Sequence, residues 1–284
     1  MSGVAVVTDT THYLPRELVA ANDIHEVSLY VNWPDAQERE SQMGTFHAFY
    51  ERLRSARDLP TTSQPSVGDF LAVYEPLLAA GQDIVSIHLS GGISGTVESA
   101  RQAAAQCPPG RVQVLDSTTA CGGLGLMVLA AAKGAREGIG AEGCLDRARQ
   151  ARERLTLWFA IDTLEYLVRG GRIGRAQGMV GSALKIKPIL SVESDITPVE
   201  RVRTSARAFA RMAEMLRTLH GDGVDGWVVQ HIQAPDEAGR LADVGREIFG
   251  TEPVFVSEIG PVIGAHVGPG LIGAGGVPRS LVPA

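Results

Sequence analysis

Cysteine is nearly absent from this sequence, and the three that occur, Cys107, Cys121 and Cys144, are odd in number and lack CxxC spacing. That argues for reduced thiols and against a disulfide framework or a zinc site. Cys121 falls in a glycine-rich turn and reads as small, inert filler rather than a reactive thiol. Lysine is equally scarce, with three residues. The net charge of −6 leaves no basic excess, which argues against sequence-independent nucleic-acid binding as the main task, since a polyanion is repelled except at a local basic patch. No uninterrupted apolar run reaches membrane-spanning length, and Met1-Ser2-Gly3 leads straight into an alternating strand without a basic leader. The expectation is a cytoplasmic protein.

Catalytic signatures are missing too. There is no GxxxxGK[ST] for ATP phosphates, no HExxH and no paired Cys/His cluster, so neither a metal nor a cofactor is expected. Gly92-Ile93-Ser94-Gly95-Thr96 begins like a nucleophile elbow, but Thr96 stands where that motif needs glycine, which disfavours an independent serine hydrolase.

What is present is a chain of 284 residues, 44% hydrophobic, enough for one large or two ordinary domains with a substantial core. Its organising stretch is Leu89-Ser90-Gly91-Gly92-Ile93-Ser94-Gly95-Thr96, between the apolar run Asp83 to His88 and a helical pattern from Val97 to Gln106. At such a turn the first helical N–H groups lack partners and the dipole favours negative charge, so with its hydroxyls the turn suits a carboxylate or a phosphate. A plain helix cap has the same composition.

The periodicity predicts strands at Gly3 to Asp9, Asp23 to Trp33, Asp83 to His88 and Arg111 to Leu115, with Pro34 to Met43 a polar loop. Helical patterns at Pro15 to Asn22, Gly44 to Ala56, Val67 to Ala80 and Leu124 to Arg136 alternate with them, Ser66 capping the third. Without NG-type hairpins these strands form a mostly parallel sheet with helices on both faces. Ligands of such sheets sit outside the strands' carboxyl ends, where Asp9, Ser90 to Thr96 and Asp116-Ser117 converge. Beyond the charged helix Ala141 to Leu155 the character changes to a strand at Leu157 to Ile161, a hairpin of Lys185 to Val192 with Ile196 to Val202, and two further strand and helix pairs. The expected fold is therefore α/β with two domains, a parallel-sheet, Rossmann-like unit over 1–155 and an α+β unit over 156–284. His266, with Pro269-Gly270 behind it, is expected to be non-helical, and Gly273 to Ala284 a loose tail.

Arg169, Arg172, Arg175, Lys185 and Lys187 form the densest positive patch. It is either a solvated face or a docking surface for an anionic ligand or acidic partner, and Gly170-Gly171 and Gly174 favour docking by giving the backbone close access. His266, between glycine-rich segments, is either an ordinary satisfied histidine or a donor to a bound oxyanion.

Six motifs, in order, carry a resemblance: Thr62-Ser63-Gln64-Pro65-Ser66, Ser94-Gly95-Thr96, Asp116-Ser117, Arg169-Gly170-Gly171-Arg172-Ile173, Lys185-Ile186-Lys187-Pro188 and His266-Val267-Gly268-Pro269-Gly270. Together they resemble the DegV family of bacterial fatty-acid-binding proteins over nearly the whole chain. The family's usual Asp-Ser after the first strand is Asp9-Thr10 here, which keeps a hydroxyl. The resemblance implies one long-chain fatty acid held between the domains, with Thr62 and Ser94 on the carboxylate and His266 nearby. Asp9, Ser63, Gly95, Thr96, Asp116 and Ser117 are expected to support them. It further implies a lipid-binding protein, not itself an enzyme, that acts as the lipid-presenting subunit of a fatty-acid kinase in phospholipid synthesis. A separate ATP-binding subunit would phosphorylate the carboxylate, and the basic patch would dock that partner or anionic headgroups at a membrane surface. The alternative is a self-sufficient enzyme or sensor for another small carboxylate or phosphate.

Overall fold

The computed structural model describes residues 3–181 and 186–283. Four strands form a wholly parallel sheet in the order Ile24–Val27, Val4–Asp9, Asp83–His88, Val112–Asp116. Alternate side chains leave its two faces, as the two-residue strand period requires. Ala5, Val7 and Ile84 pack with Phe70 and Tyr74 of the helix Val67–Ala79 and with Ala100 of the helix Thr96–Ala104. Val6, Val85 and Ile87 join the cluster that contains Leu124 and Val128 of the helix Cys121–Arg136 and Leu145 of the helix Gly140–Arg154. The α/β reading of this half holds, down to the capping box of Ser66 and Asp69 at the start of Val67–Ala79.

A six-stranded mixed sheet lies C-terminal to it, in the order Asp195–Val202, Lys187–Glu193, Thr156–Ala160, Leu271–Val277, Gly226–Ile232, Phe255–Glu258. Only the last pair is parallel. One face packs on the helices Ser205–Gly221 and Pro235–Phe249 through Ile189, Trp227, Val229 and Ala274. The other, through Phe159, Leu190, Val192, Val228 and Leu271, belongs to the same hydrophobic cluster as the parallel sheet.

Four expectations need correction. The run 23–33 is not one strand, because it breaks after Val27 and Tyr30–Trp33 becomes the centre of a three-stranded antiparallel sheet. The segment read as a polar loop supplies one partner of that strand, Ala36–Arg39, and Thr61–Ser63 supplies the other. A short, polar edge strand has no apolar alternation to betray it; pairing alone makes it a strand. His266 is helical, within Pro261–Val267, where Pro261 sits at the first helical position and Gly268, at φ 76°, ends the helix. Finally, the supposed loose tail from Gly273 begins inside the buried strand Leu271–Val277, flanked on both sides by antiparallel partners. Its glycines look like flexibility, but a Cβ on Gly275 would collide with the Thr156 carbonyl, so close backbone approach is what that position requires.

Candidate functional site

The glycine-rich turn at the end of Asp83–His88 is braced group by group. Leu89 N–H donates to Asp9 Oδ2 at 3.0 Å, Ser90 N–H to the Thr119 carbonyl at 2.8 Å and Gly91 N–H to both Asp116 oxygens at 3.2 Å. Ser90 Oγ donates to the carbonyl of Ser194 at 2.5 Å, tying the turn to the hairpin of the C-terminal sheet. Gly95 caps the helix Thr96–Ala104 without a side chain, and Ser94 Oγ takes over by accepting from Thr96 N–H at 3.3 Å while pairing with Thr96 Oγ1 at 2.9 Å.

Thr62 comes from the edge strand Thr61–Ser63, opposite Val31. Its Oγ1 lies 2.7 Å from His266 Nε2, joining positions 204 residues apart. Burial, and then the positive charge of Arg172, lower the His266 pKa to about 4, so the ring is neutral at pH 7. His266 Nδ1 is buried and has no hydrogen-bond partner among the described residues. Gly170 packs against that nitrogen so closely that a Cβ would collide with it. With its proton on Nε2 the imidazole donates to Thr62 Oγ1, and the Thr62 hydroxyl proton is then free for a third group.

Thr62, Ser63, Gln64, Ser94, Gly95, His266 and Arg172 line one end of a cavity holding about 930 Å³ of empty space, its open mouth included. Beyond this end the walls are mainly apolar: Leu29, Leu89, Ile93, Phe159, Val192, Ile196, Ile259, Val262 and Leu271. Gln230 and Cys121 interrupt them. Burial, then Glu40 and Asp9, push the Cys121 thiol pKa up, which keeps it protonated. Ile93, Ser94, Gly95 and Arg172 also line a second, polar cleft with Gly92, Gly171, Gly174 and Asp195, so the hydroxyl end of the cavity faces the outside. The arrangement suits a molecule with one oxyanionic end and a long apolar body: neutral hydroxyls and an imidazole at the head, a lone guanidinium at the rim and hydrocarbon behind.

The remaining candidates separate by role. Asp9, Thr96, Asp116 and Ser117 do not line the cavity; they hold the turns that do. Asp9, fully buried, also accepts from Thr11 N–H at 3.1 Å and lies 3.0 Å from His88 Nδ1. Burial alone would raise its pKa, but His88, Thr11 and Leu89 together bring it below the ordinary value. Ser117 Oγ donates to the Thr119 carbonyl at 3.1 Å. In the basic patch, Lys187 pairs with Asp162, and Arg169 lies 3.4 Å from Glu165. Arg172, whose Nη1 donates to the Gly170 carbonyl at 2.8 Å, and Arg175 make no ion pair among the described residues. Lys185 lies outside the described residues. The sequence reading assigned no role to Gln64, whose amide packs over Gly95, or to Gln230. The latter's only signal is a polar residue within the apolar strand Gly226–Ile232; its Oε1 accepts from Gly122 N–H at 2.5 Å and its Nε2 donates to Ser257 Oγ at 2.9 Å.

The sequence and the fold have counterparts among known proteins. A family model described as an uncharacterised protein of the DegV family matches residues 3–279. A DegV domain-containing protein of Streptomyces coelicolor is 40% identical over 277 residues, covering 95% of this chain and 96% of that one. The structure of DegV from Bacillus subtilis, titled a fatty acid binding protein, superposes with a TM-score of 0.89 at 33% identity, covering 98% of this chain and 100% of that one. A Thermus thermophilus DegV family protein, whose title states fatty acid binding, gives a TM-score of 0.88 at 34% identity over 97% of this chain and 99% of that one. On its sequence, its fold and the reach of the match from end to end, the chain belongs to the DegV family.

Proposed function

We propose that this protein binds one long-chain fatty acid between an N-terminal unit, 1–155, and a C-terminal unit, 156–284. It presents the carboxylate to the ATP-binding subunit of a fatty-acid kinase in the cytoplasm, acting as a lipid-binding, substrate-carrying partner rather than an enzyme. The observation that carries this reading is the apolar cavity that ends at Thr62, Ser94 and His266. Burial of an acyl chain contributes about 0.8 kcal/mol per methylene, ample affinity for a ligand with one polar end. The binding of fatty acids by the Bacillus and Thermus relatives supports it. For the kinase step, a carboxylate attacks a γ-phosphoryl only if it is positioned without being over-stabilised, and neutral hydroxyls meet both needs better than a bidentate arginine. Arg172 and Arg175, free of acidic partners among the described residues, are the candidate contacts for the kinase subunit or for anionic headgroups.

The test is native mass spectrometry of the purified protein, followed by organic extraction and then incubation with ATP and a fatty-acid kinase subunit. A fatty acid at one-to-one stoichiometry that becomes an acyl phosphate is the expected result. A protein that is empty and takes up neither oleate nor palmitate overturns the binding reading in favour of a small carboxylate or phosphate. A loaded protein that yields no acyl phosphate overturns the kinase role alone.

A further inference from the structure

The helix Pro261–Val267 that carries His266 is met from the three-stranded sheet region at Thr62 and at Glu40. Thr62 Oγ1 meets His266 Nε2. Glu40 directly follows the strand Ala36–Arg39 and is only 3% exposed. Its Oε1 accepts from Val262 N–H at 2.8 Å and from the Tyr13 hydroxyl at 2.9 Å. Its Oε2 accepts from Thr10 Oγ1 at 2.6 Å. The same Tyr13 oxygen accepts from Ile263 N–H at 3.2 Å. Two of the helix's first N–H groups, which no intrahelical carbonyl can serve, are thus taken up by side chains more than two hundred positions away. Glu40 N–H in turn donates to the carbonyl of Leu29, a residue of the cavity wall, at 3.0 Å.

We infer that Glu40 is a positioning residue for His266: by capping the start of the His266 helix at Val262, it sets where the imidazole meets Thr62 and hence the ligand's polar end. Its reach explains why a carboxyl group is buried there with no cation among its hydrogen-bond partners in the described residues. A short helix of seven residues has little intrinsic stability, so its orientation is decided by what grips its ends. The grip is shared. Tyr50 hydroxyl lies 2.7 Å from the Ile259 carbonyl and 3.1 Å from the Gly260 carbonyl, just ahead of the helix. Glu40 and Tyr13 take one N–H group each at the start of the helix.

The role as written rests on the fatty-acid reading above, but its structural half does not. The experiment compares Glu40→Ala, Glu40→Gln and Tyr13→Phe, each checked for folding by circular dichroism, with two readouts. One is the ring-nitrogen NMR signals of His266 in ligand-free protein labelled on histidine; the other is calorimetric titration of delipidated protein with oleate. Glu40→Ala should move the His266 signals and weaken oleate binding on the order of tenfold, the effect of one lost hydrogen bond. Tyr13→Phe should move both in the same direction and less. Glu40→Gln, which keeps an acceptor oxygen for Val262 N–H, should restore most of both. The proposal is overturned if the His266 signals stay unmoved in Tyr13→Phe and Glu40→Ala, or if Glu40→Gln is no better than Glu40→Ala. Should Glu40→Ala fail to fold, unmoved His266 signals in Tyr13→Phe overturn it alone. If wild-type protein binds no oleate, the fatty-acid reading falls, and the ligand-free NMR comparison still decides whether Glu40 positions the ring.

Discussion

Two histidines in this protein do opposite things with their ring nitrogens. His88, with no exposure, has Nδ1 3.0 Å from Asp9 Oδ2 and Nε2 2.6 Å from Ser86 Oγ, which continues 2.7 Å to the Tyr74 hydroxyl. Asp, His and Ser stand in triad order, yet none of the three lines the apolar cavity or the polar cleft beside it. His266 has one nitrogen on Thr62, leaves the other without a partner among the described residues and borders the apolar cavity. With Nε2 donating to Thr62, the hydroxyl proton of Thr62 is left for a group inside that cavity. A saturated cluster is architecture, however much its residue types suggest chemistry.

The sharpest way to break this contrast is to remove Asp9. Asp9→Ala leaves His88, Leu89 N–H and the Thr11 groups without their acceptor, and should lower unfolding free energy by about 3–5 kcal/mol in urea denaturation. His266→Ala should cost much less stability, and equal losses would erase the distinction between brace and site. The lowered pKa of Asp9 sets a sign: its contribution is present above the unfolded value near 4 and is lost as pH falls through the folded value.

Glu40 is the opposite carboxylate. Burial raises its pKa to about 7, against the opposing hydrogen bonds of Thr10, Val262 and Tyr13. A carboxyl raised in this way favours folding below its unfolded pKa and gives up that contribution as pH rises through about 7, here roughly 3 kcal/mol. Glu40→Gln, which cannot ionise, should flatten the stability profile between about pH 4.5 and 7, as measured by denaturation at a series of pH values. A profile unchanged by the substitution would place the titration elsewhere.

At the site itself, Thr62→Ala combined with Ser94→Ala should weaken oleate binding by roughly tenfold or more, two hydrogen bonds to a charged group being at stake, with the melting temperature nearly unchanged. Full binding by the double variant would remove these hydroxyls from the site. The smallest effect on lipid binding is expected at the surface. Arg172→Glu with Arg175→Glu should change oleate affinity little while slowing acyl-phosphate formation with a kinase subunit, and equal loss of both would count against a docking role.

The sequence by itself determined the parallel sheet and its helices, because apolar runs alternate there with amphipathic helices and small polar turns, and each of those signals is local. It also marked Thr62, Ser94 and His266, through motifs whose order resembles a family, and the structure brings Thr62 and His266 into contact and all three to one cavity. Only the tertiary structure decided the rest. Ala36–Arg39 is a strand because Tyr30–Trp33 lies beside it. Leu271–Val277 is a central strand because its glycines admit two neighbouring backbones at close range. His266 is helical because Glu40 and Tyr13 accept the first N–H groups of its helix. The basic patch divides into paired and unpaired members because Asp162 and Glu165 reach some cations and not others. Each of these outcomes depends on a partner remote in sequence, and periodicity carries no information about such partners.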